Sequence, residues 1–250
     1  MYAAEGPGHR LTARVGSVEQ GEAVWLLSGS KPWCSLADRV GGFLVTAWVD
    51  ERRRGLFLVD RAAVDAGRLA VETTPWHARG LTAVHSPTTR YDDVPAVAVG
   101  GPGWYLDRPG FAWGGMGVAA VWFGGAVAVA RRVADHARGR AADQIALMHV
   151  GRVEAAVHRA RCVLAAAADA VDEGAANGAA GARLALTVRQ VVRHCVEDVL
   201  TEAAHAMGPA PLVHDAEHAR RVADLQVYIR QEHAARDAAA LGRAVLEETS

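Results

Sequence analysis

Lysine is almost absent from this 250-residue chain: Lys31 is the only one among 27 basic residues, and the rest are arginine. With abundant alanine and glycine, that bias points to GC-rich coding rather than to a function. No charge excess of either sign exists, the formal net charge being -1, so a primary attraction to nucleic acid or to an anionic membrane surface is not expected. Cysteine is scarce as well. Cys34, Cys162 and Cys195 are odd in number and widely spaced, which excludes a disulfide framework and a CxxC metal knuckle and fits a reducing, cytoplasmic setting. The opening "MYAAEGPGHR" lacks a charged start followed by an apolar run, so no export or import signal is read there. Neither a GxxxxGK[ST] phosphate loop nor a GxSxG nucleophile elbow occurs.

What is present changes character near residue 108. Up to that point short apolar, branched and aromatic runs such as "AVWLLSG", "GGFLVTAWV" and "GLFLVD" alternate with Gly, Pro, Asp and Arg clusters, the pattern of a small sheet or barrel. Phe43 to Val49 and Leu56 to Val59, joined by "DERRRG", read as a hairpin. After Pro109 long alanine-rich segments dominate, at roughly 112–139, 141–174, 182–207 and 215–246. The expected fold class is α+β: a β-domain over 1–108, then an antiparallel four-helix bundle over 109–250. Breaks fall at Gly139, at "EGAANGAAG" and at "MGPAPLVHD", with Asp215 or His214 capping the last helix. Residues 111–130 carry no charge over a membrane-span length, but their glycines read as a helix buried against neighbours.

One metal pattern occurs. "HDAEH", His214 to His218, matches HxxEH, which on one helix would place two imidazoles on a common face, but no third ligand is evident and a solvated first turn is the expected reading. No metal is expected.

A more specific signal is "SGSKPWCSLADRVGGFLVTA", in which a tryptophan, a thiol and a hydroxyl crowd the rim of an apolar strand. Together with "GLFLVD", "SPTTRYDDVPA" and the helices that follow, it resembles the middle β-domain and C-terminal helical domain of the acyl-CoA dehydrogenase family, over nearly the whole chain. The resemblance implies FAD as cofactor, with Trp33 covering the flavin ring and Ser35 reaching its N5. It implies that Arg138 meets the pyrophosphate of a neighbouring subunit's FAD and that Gly208 approaches the adenine end. "RRVADLQVYIRQEH" resembles the family segment that ends in the catalytic glutamate, which places that role on Glu232. On a continuous helix Glu232 would share a face with Leu225, Tyr228 and Ile229 and point into an apolar interior, where a carboxylate becomes a stronger base, or pair with Arg236 four residues on.

The family activity would be removal of an α-proton and a β-hydride from an acyl thioester, presumptively acyl-CoA, with an electron-transfer flavoprotein as oxidant. Oligomers are also implied, including a further chain supplying the helical N-terminal domain that has no counterpart here. Departures are plain. Glu5, Pro7 and Gly8 keep part of one flavin-contacting strand but lose its threonine and serine, and His233 and Ala234 replace the Gly-Thr after the glutamate. Two alternatives follow: a flavin-dependent monooxygenase using His233, and a non-catalytic partner subunit of a flavoprotein complex.

Overall fold

The computed structural model describes residues 8–19, 22–73, 75–139 and 141–248. Its chain divides into two compact units, one formed by Met1–His77 with Thr82–Arg108 and the other by Pro109–Ser250 with Ala78–Leu81.

In the first unit the strands are β1 (Leu11–Glu19), β2 (Glu22–Lys31), β3 (Gly42–Trp48), β4 (Arg54–Asp60), β5 (Leu69–Val71) and β6 (Thr89–Val99). Two single-turn helices accompany them, α1 (Ala62–Asp65) and α2 (Trp104–Asp107). The order β2-β1-β3-β4-β6, closed by pairing of β2 with β6, makes a five-stranded barrel, and β5 extends it along β6. Alternation dictates the inside. Phe43, Val45 and Ala47 of β3, with Phe57 and Val59 of β4, are buried in the barrel core with Leu11, Leu27, Leu69 and Val94. The β3–β4 hairpin has the expected antiparallel register, from Gly42 opposite Asp60 to Trp48 opposite Arg54.

Lys31, the only lysine, is fully buried, and its ammonium donates to the Thr46 carbonyl and hydroxyl, each at 3.0 Å. A buried ammonium persists only when its donors are met by such acceptors.

The second unit holds α3 (Pro109–Arg138), α4 (Gln144–Asp172) and α5 (Gly178–Met207), which pack on one another. They are followed by α6 (Ala210–His214), α7 (Ala216–Tyr228), a 3-10 turn (Ile229–Gln231) and α8 (Ala235–Glu248), with α7 against α3 and α8 against α5. Met116, Ala119, Trp122, Ala126, Val129 and Val133 form the buried face of α3, so the uncharged segment is core-facing along one stripe. By length and composition alone α3 is also apolar enough to cross a membrane.

The last segment differs from expectation. A single fourth helix over 215–246 is replaced by three pieces, because Glu232 adopts an extended conformation and Ala234 a positive φ of 44°. His214 and His218 consequently sit on different helices, with Asp215 between them accepting from the His218 amide as the N-cap of α7. Among the described residues no group of three or more His, Cys, Asp or Glu is arranged to hold a metal ion.

His218 is buried in this turn, and burial, reinforced by Arg132 and Arg221 and opposed by Asp215, holds its imidazole below the usual value of 6.5. The unfolded chain therefore binds this proton more readily. His218's contribution to stability is complete above about pH 6.5 and is lost as pH falls through its depressed folded value. Asp215, held below its usual range by the His218 amide and Arg132, loses its contribution only at more acid pH. The melting temperature is expected to fall between pH 7.5 and pH 5.5, and His218→Gln to remove part of that fall. An identical fall in the variant would refute this assignment.

Candidate functional site

β2 ends at Lys31, and the chain then turns through Trp33 at φ 59° and Leu36 at φ 60°. Neither is glycine. An aromatic side chain in the left-handed region costs on the order of 1–3 kcal/mol and persists only where its surroundings enforce it. Here they do: the amides of Cys34 and Leu36 donate to the carbonyls of Pro87 at 2.9 Å and His85 at 2.7 Å, stitching the turn to the segment before β6. Cys34 is buried beneath, its Sγ 3.1 Å from the Thr89 hydroxyl, and burial pushes its thiol pKa up, so it serves as an apolar plug and not as a nucleophile.

This arrangement leaves the Trp33 ring 61% exposed at the rim of the barrel. Behind it stand Trp76, edge-on at 6.3 Å between centroids, and His85, 5.6 Å from Trp76. The Trp76 indole N–H and His85 Nε2 are buried without a hydrogen-bond partner among the described residues, which is uncommon in native interiors. Ser35 lies beside them, its Oγ 2.8 Å from Ser86 Oγ. Since Ser86 donates to the Val84 carbonyl at 3.1 Å, the proton between the two hydroxyls belongs to Ser35.

Glu232 occupies a different environment from the expected apolar one. Its side chain is fully covered, and it meets polar groups. Gln190 Nε2 donates to Oε1 at 2.7 Å, the Ala234 amide donates to Oε2 at 2.8 Å, and Arg193 Nε lies 2.8 Å from Oε2 as an opposite charge not aligned for a hydrogen bond. Its cation is thus Arg193 of α5 and not Arg236. Arg193 also pairs with Glu197 one turn on, and Arg230 reaches that same Glu197 at 2.9 Å. Arg189 adds a bond to the Gln231 carbonyl at 3.1 Å. A carboxylate held by three donors and sealed from solvent is a tie between the α7–α8 loop and α5. It is poorly placed to take a proton from a ligand.

The remaining expected residues are more open. Arg138, at the end of α3, is exposed and pairs with Asp135 at 2.7 Å. Gly208 caps α5 at φ 65°, with open space where a Cβ would stand. His233 is half-exposed and 3.4 Å from Asp237. Asp224 has a clear structural task, accepting from the Leu81 amide at 2.6 Å and so holding residues 78–81 against α7. Glu5 and Pro7 lie outside the described residues. Sequence reasoning missed Trp76, His85, Gln190 and Arg193; only the aromatic character of Trp76, near "SPTT", offered any signal.

For an aromatic-ring cofactor such as FAD, the Trp33 turn fits: an exposed ring held by strain, backed by orphaned polar atoms, beside a fixed hydroxyl. No comparable cradle surrounds Arg138 or Gly208.

No family model and no curated protein matches this chain. Solved structures do. A variant of the steroid acyl-CoA dehydrogenase Tcur3481-Tcur3483 is similar at TM-score 0.75 and 23% identity over 97% of this chain and 63% of that one. The acyl-CoA dehydrogenase of Slackia heliotrinireducens matches at TM-score 0.71 and 19% identity over 90% and 60%. The flavoprotein nitroalkane oxidase matches at TM-score 0.75 and 17% identity over 89% and 59%. The protein thus has an acyl-CoA dehydrogenase-like fold, corresponding to the middle and C-terminal portions of that architecture. It spans about three fifths of the length of these structures.

Proposed function

We propose that the chain is the flavin-side part of an FAD-dependent, acyl-CoA dehydrogenase-like oxidoreductase. The observation that carries this reading is the Trp33 turn, a strained and exposed aromatic wall on a fold shared with flavoproteins. Trp33 would cover one face of the ring and exclude water, while Ser35, oriented by Ser86, would lie at its edge. Bound there, FAD would supply hydride acceptance. An acyl thioester is the proposed substrate, an electron-transfer flavoprotein the proposed oxidant and an oligomer the proposed state, with another polypeptide completing the acyl pocket.

Glu232 is assigned a positioning role. Its contacts with Gln190, Arg193 and the Ala234 amide set the α7–α8 loop, and the α-proton base is to be sought elsewhere in the assembled enzyme. That same observation favours a second reading, a flavin-binding or flavin-free partner subunit without its own base.

A visible absorption spectrum after addition of FAD and gel filtration separates these. Flavin bands that survive filtration, and that lose intensity on addition of an acyl-CoA, support the oxidoreductase. Retained bands unaffected by any acyl-CoA, in the chain alone and in its purified complex, support the partner subunit. Glu232→Gln is expected to leave the retained flavin unchanged.

A further inference from the structure

We infer that the barrel unit carries a second binding site, for a ligand bearing a pyrophosphate or comparable polyphosphate group. A groove of about 720 Å³ is lined by His9, Arg10, Arg68, Arg90 and Asp92 over a floor of small residues and Tyr91. That volume lies within the range of roughly 300–1,000 Å³ common for small-molecule sites.

The groove exists for a local reason. Arg90 on β6 is flanked across the ladder by Ser30 on β2 and Ala70 on β5, and Gly8, Gly29 and Gly67 complete the margin, so nothing large fills the space beside its guanidinium. Arg10 is brought in by the backbone, because Gly29, at φ 116°, passes so close that a Cβ there would stand 2.0 Å from the Arg10 carbonyl oxygen. Arg68 follows Gly67, itself at φ 72°, and its carbonyl accepts from the Asp92 amide at 2.9 Å. Three arginines from separate segments thus face one concavity in a chain whose net charge is -1.

Their guanidinium groups are oriented in advance. Arg90 Nε is paired with Glu72 Oε1, Arg68 Nη1 donates to the Asp93 carbonyl at 3.1 Å, and Arg10 stacks on Trp48 at 4.9 Å. Each anchor uses one part of the fork and leaves other N–H groups directed elsewhere. His9 is fixed too, its Nδ1 3.0 Å from the Ser30 hydroxyl. Asp92 is the one acid of the lining, and Glu72 offsets Arg90, so a positive excess remains. Converging like charges repel one another and add nothing to folding, whereas bidentate arginine contacts suit phosphate oxygens. A compact groove on a chain without general basic character favours a small phosphorylated molecule over nucleic acid.

This site does not depend on the flavin reading, since none of its lining residues belongs to the Trp33 turn. Isothermal titration of the full chain with inorganic pyrophosphate and with coenzyme A tests it. Saturable binding is expected. Arg68→Ala and Arg90→Ala should each weaken it by about tenfold or more, Arg90→Lys less than Arg90→Ala, and Arg159→Ala on α4 not at all. Tighter binding of coenzyme A than of pyrophosphate assigns the group to a thioester carrier, and equal binding assigns it to a free polyphosphate. In the unaltered protein, pyrophosphate should protect Arg68 and Arg90 from dicarbonyl modification, read by mass spectrometry. Absence of binding, equal modification with and without pyrophosphate, or preference for duplex DNA would overturn the inference.

Discussion

Arg193→Ala is expected to destabilise the helical unit by about 3–5 kcal/mol, the cost of leaving a covered carboxylate without its cation. Arg193 is 11% exposed and Glu232 not at all, so water cannot take the place of the guanidinium. The loss also strips Glu197 of one of its two arginine partners. Glu232→Gln is the informative contrast, since a glutamine can still accept from Gln190 and brings no uncompensated charge. Its cost should be smaller by about 2 kcal/mol or more. Urea unfolding of both variants measures the difference, and an Arg193→Ala protein within about 1 kcal/mol of the parent would remove the basis for treating Glu232 as a structural tie.

Gly29→Ala is the second large expected effect, a loss of about 3 kcal/mol or more in the barrel unit. Two penalties combine. The position has φ 116°, which L side chains rarely adopt, and the added Cβ would stand 2.0 Å from a backbone oxygen that cannot swing aside. The Arg10 carbonyl in question also accepts from the Ser30 amide at 3.2 Å, so moving it breaks a bond between the start of β1 and the end of β2. Because Ser30 is only three residues before Trp33, the same substitution should weaken flavin binding. Thermal unfolding and flavin titration on one protein sample check both outcomes; a stable variant with unaltered affinity contradicts the account of this turn.

Much of the architecture can be read from local pattern. "GGFLVTAWV" and "GLFLVD" alternate with the period of strands and do pair, and the alanine-rich stretches after Pro109 do form long helices. The Asp215 cap is legible for the same reason, since a short acceptor side chain before a polar helical run meets the first free amides. Closure of the barrel through β2 and β6 is not legible, as it joins residues some seventy positions apart.

The break at Glu232 is the instructive failure. No glycine or proline marks it, and Ala234 takes a left-handed conformation that its sequence neighbours do not announce. What enforces the turn is Gln190 and Arg193, about forty residues earlier on α5, which capture the carboxylate and pull the chain out of helix. A helical-wheel reading of Glu232 therefore places it correctly inside the protein but assigns it the wrong neighbours. At the Trp33 turn the residue types are visible in "SGSKPWCS" while the strain is not, because the left-handed backbone depends on the carbonyls of His85 and Pro87.

The central claim is that this turn holds a flavin ring, and the most direct measurement is the dissociation constant for FAD, by fluorescence titration, of the parent protein and of Trp33→Ala. Removing the covering ring is expected to weaken binding by about tenfold, equivalent to 1.4 kcal/mol, with the melting temperature nearly unchanged because the side chain is exposed. FAD binding of equal strength in the two proteins, or none in either, would contradict the account.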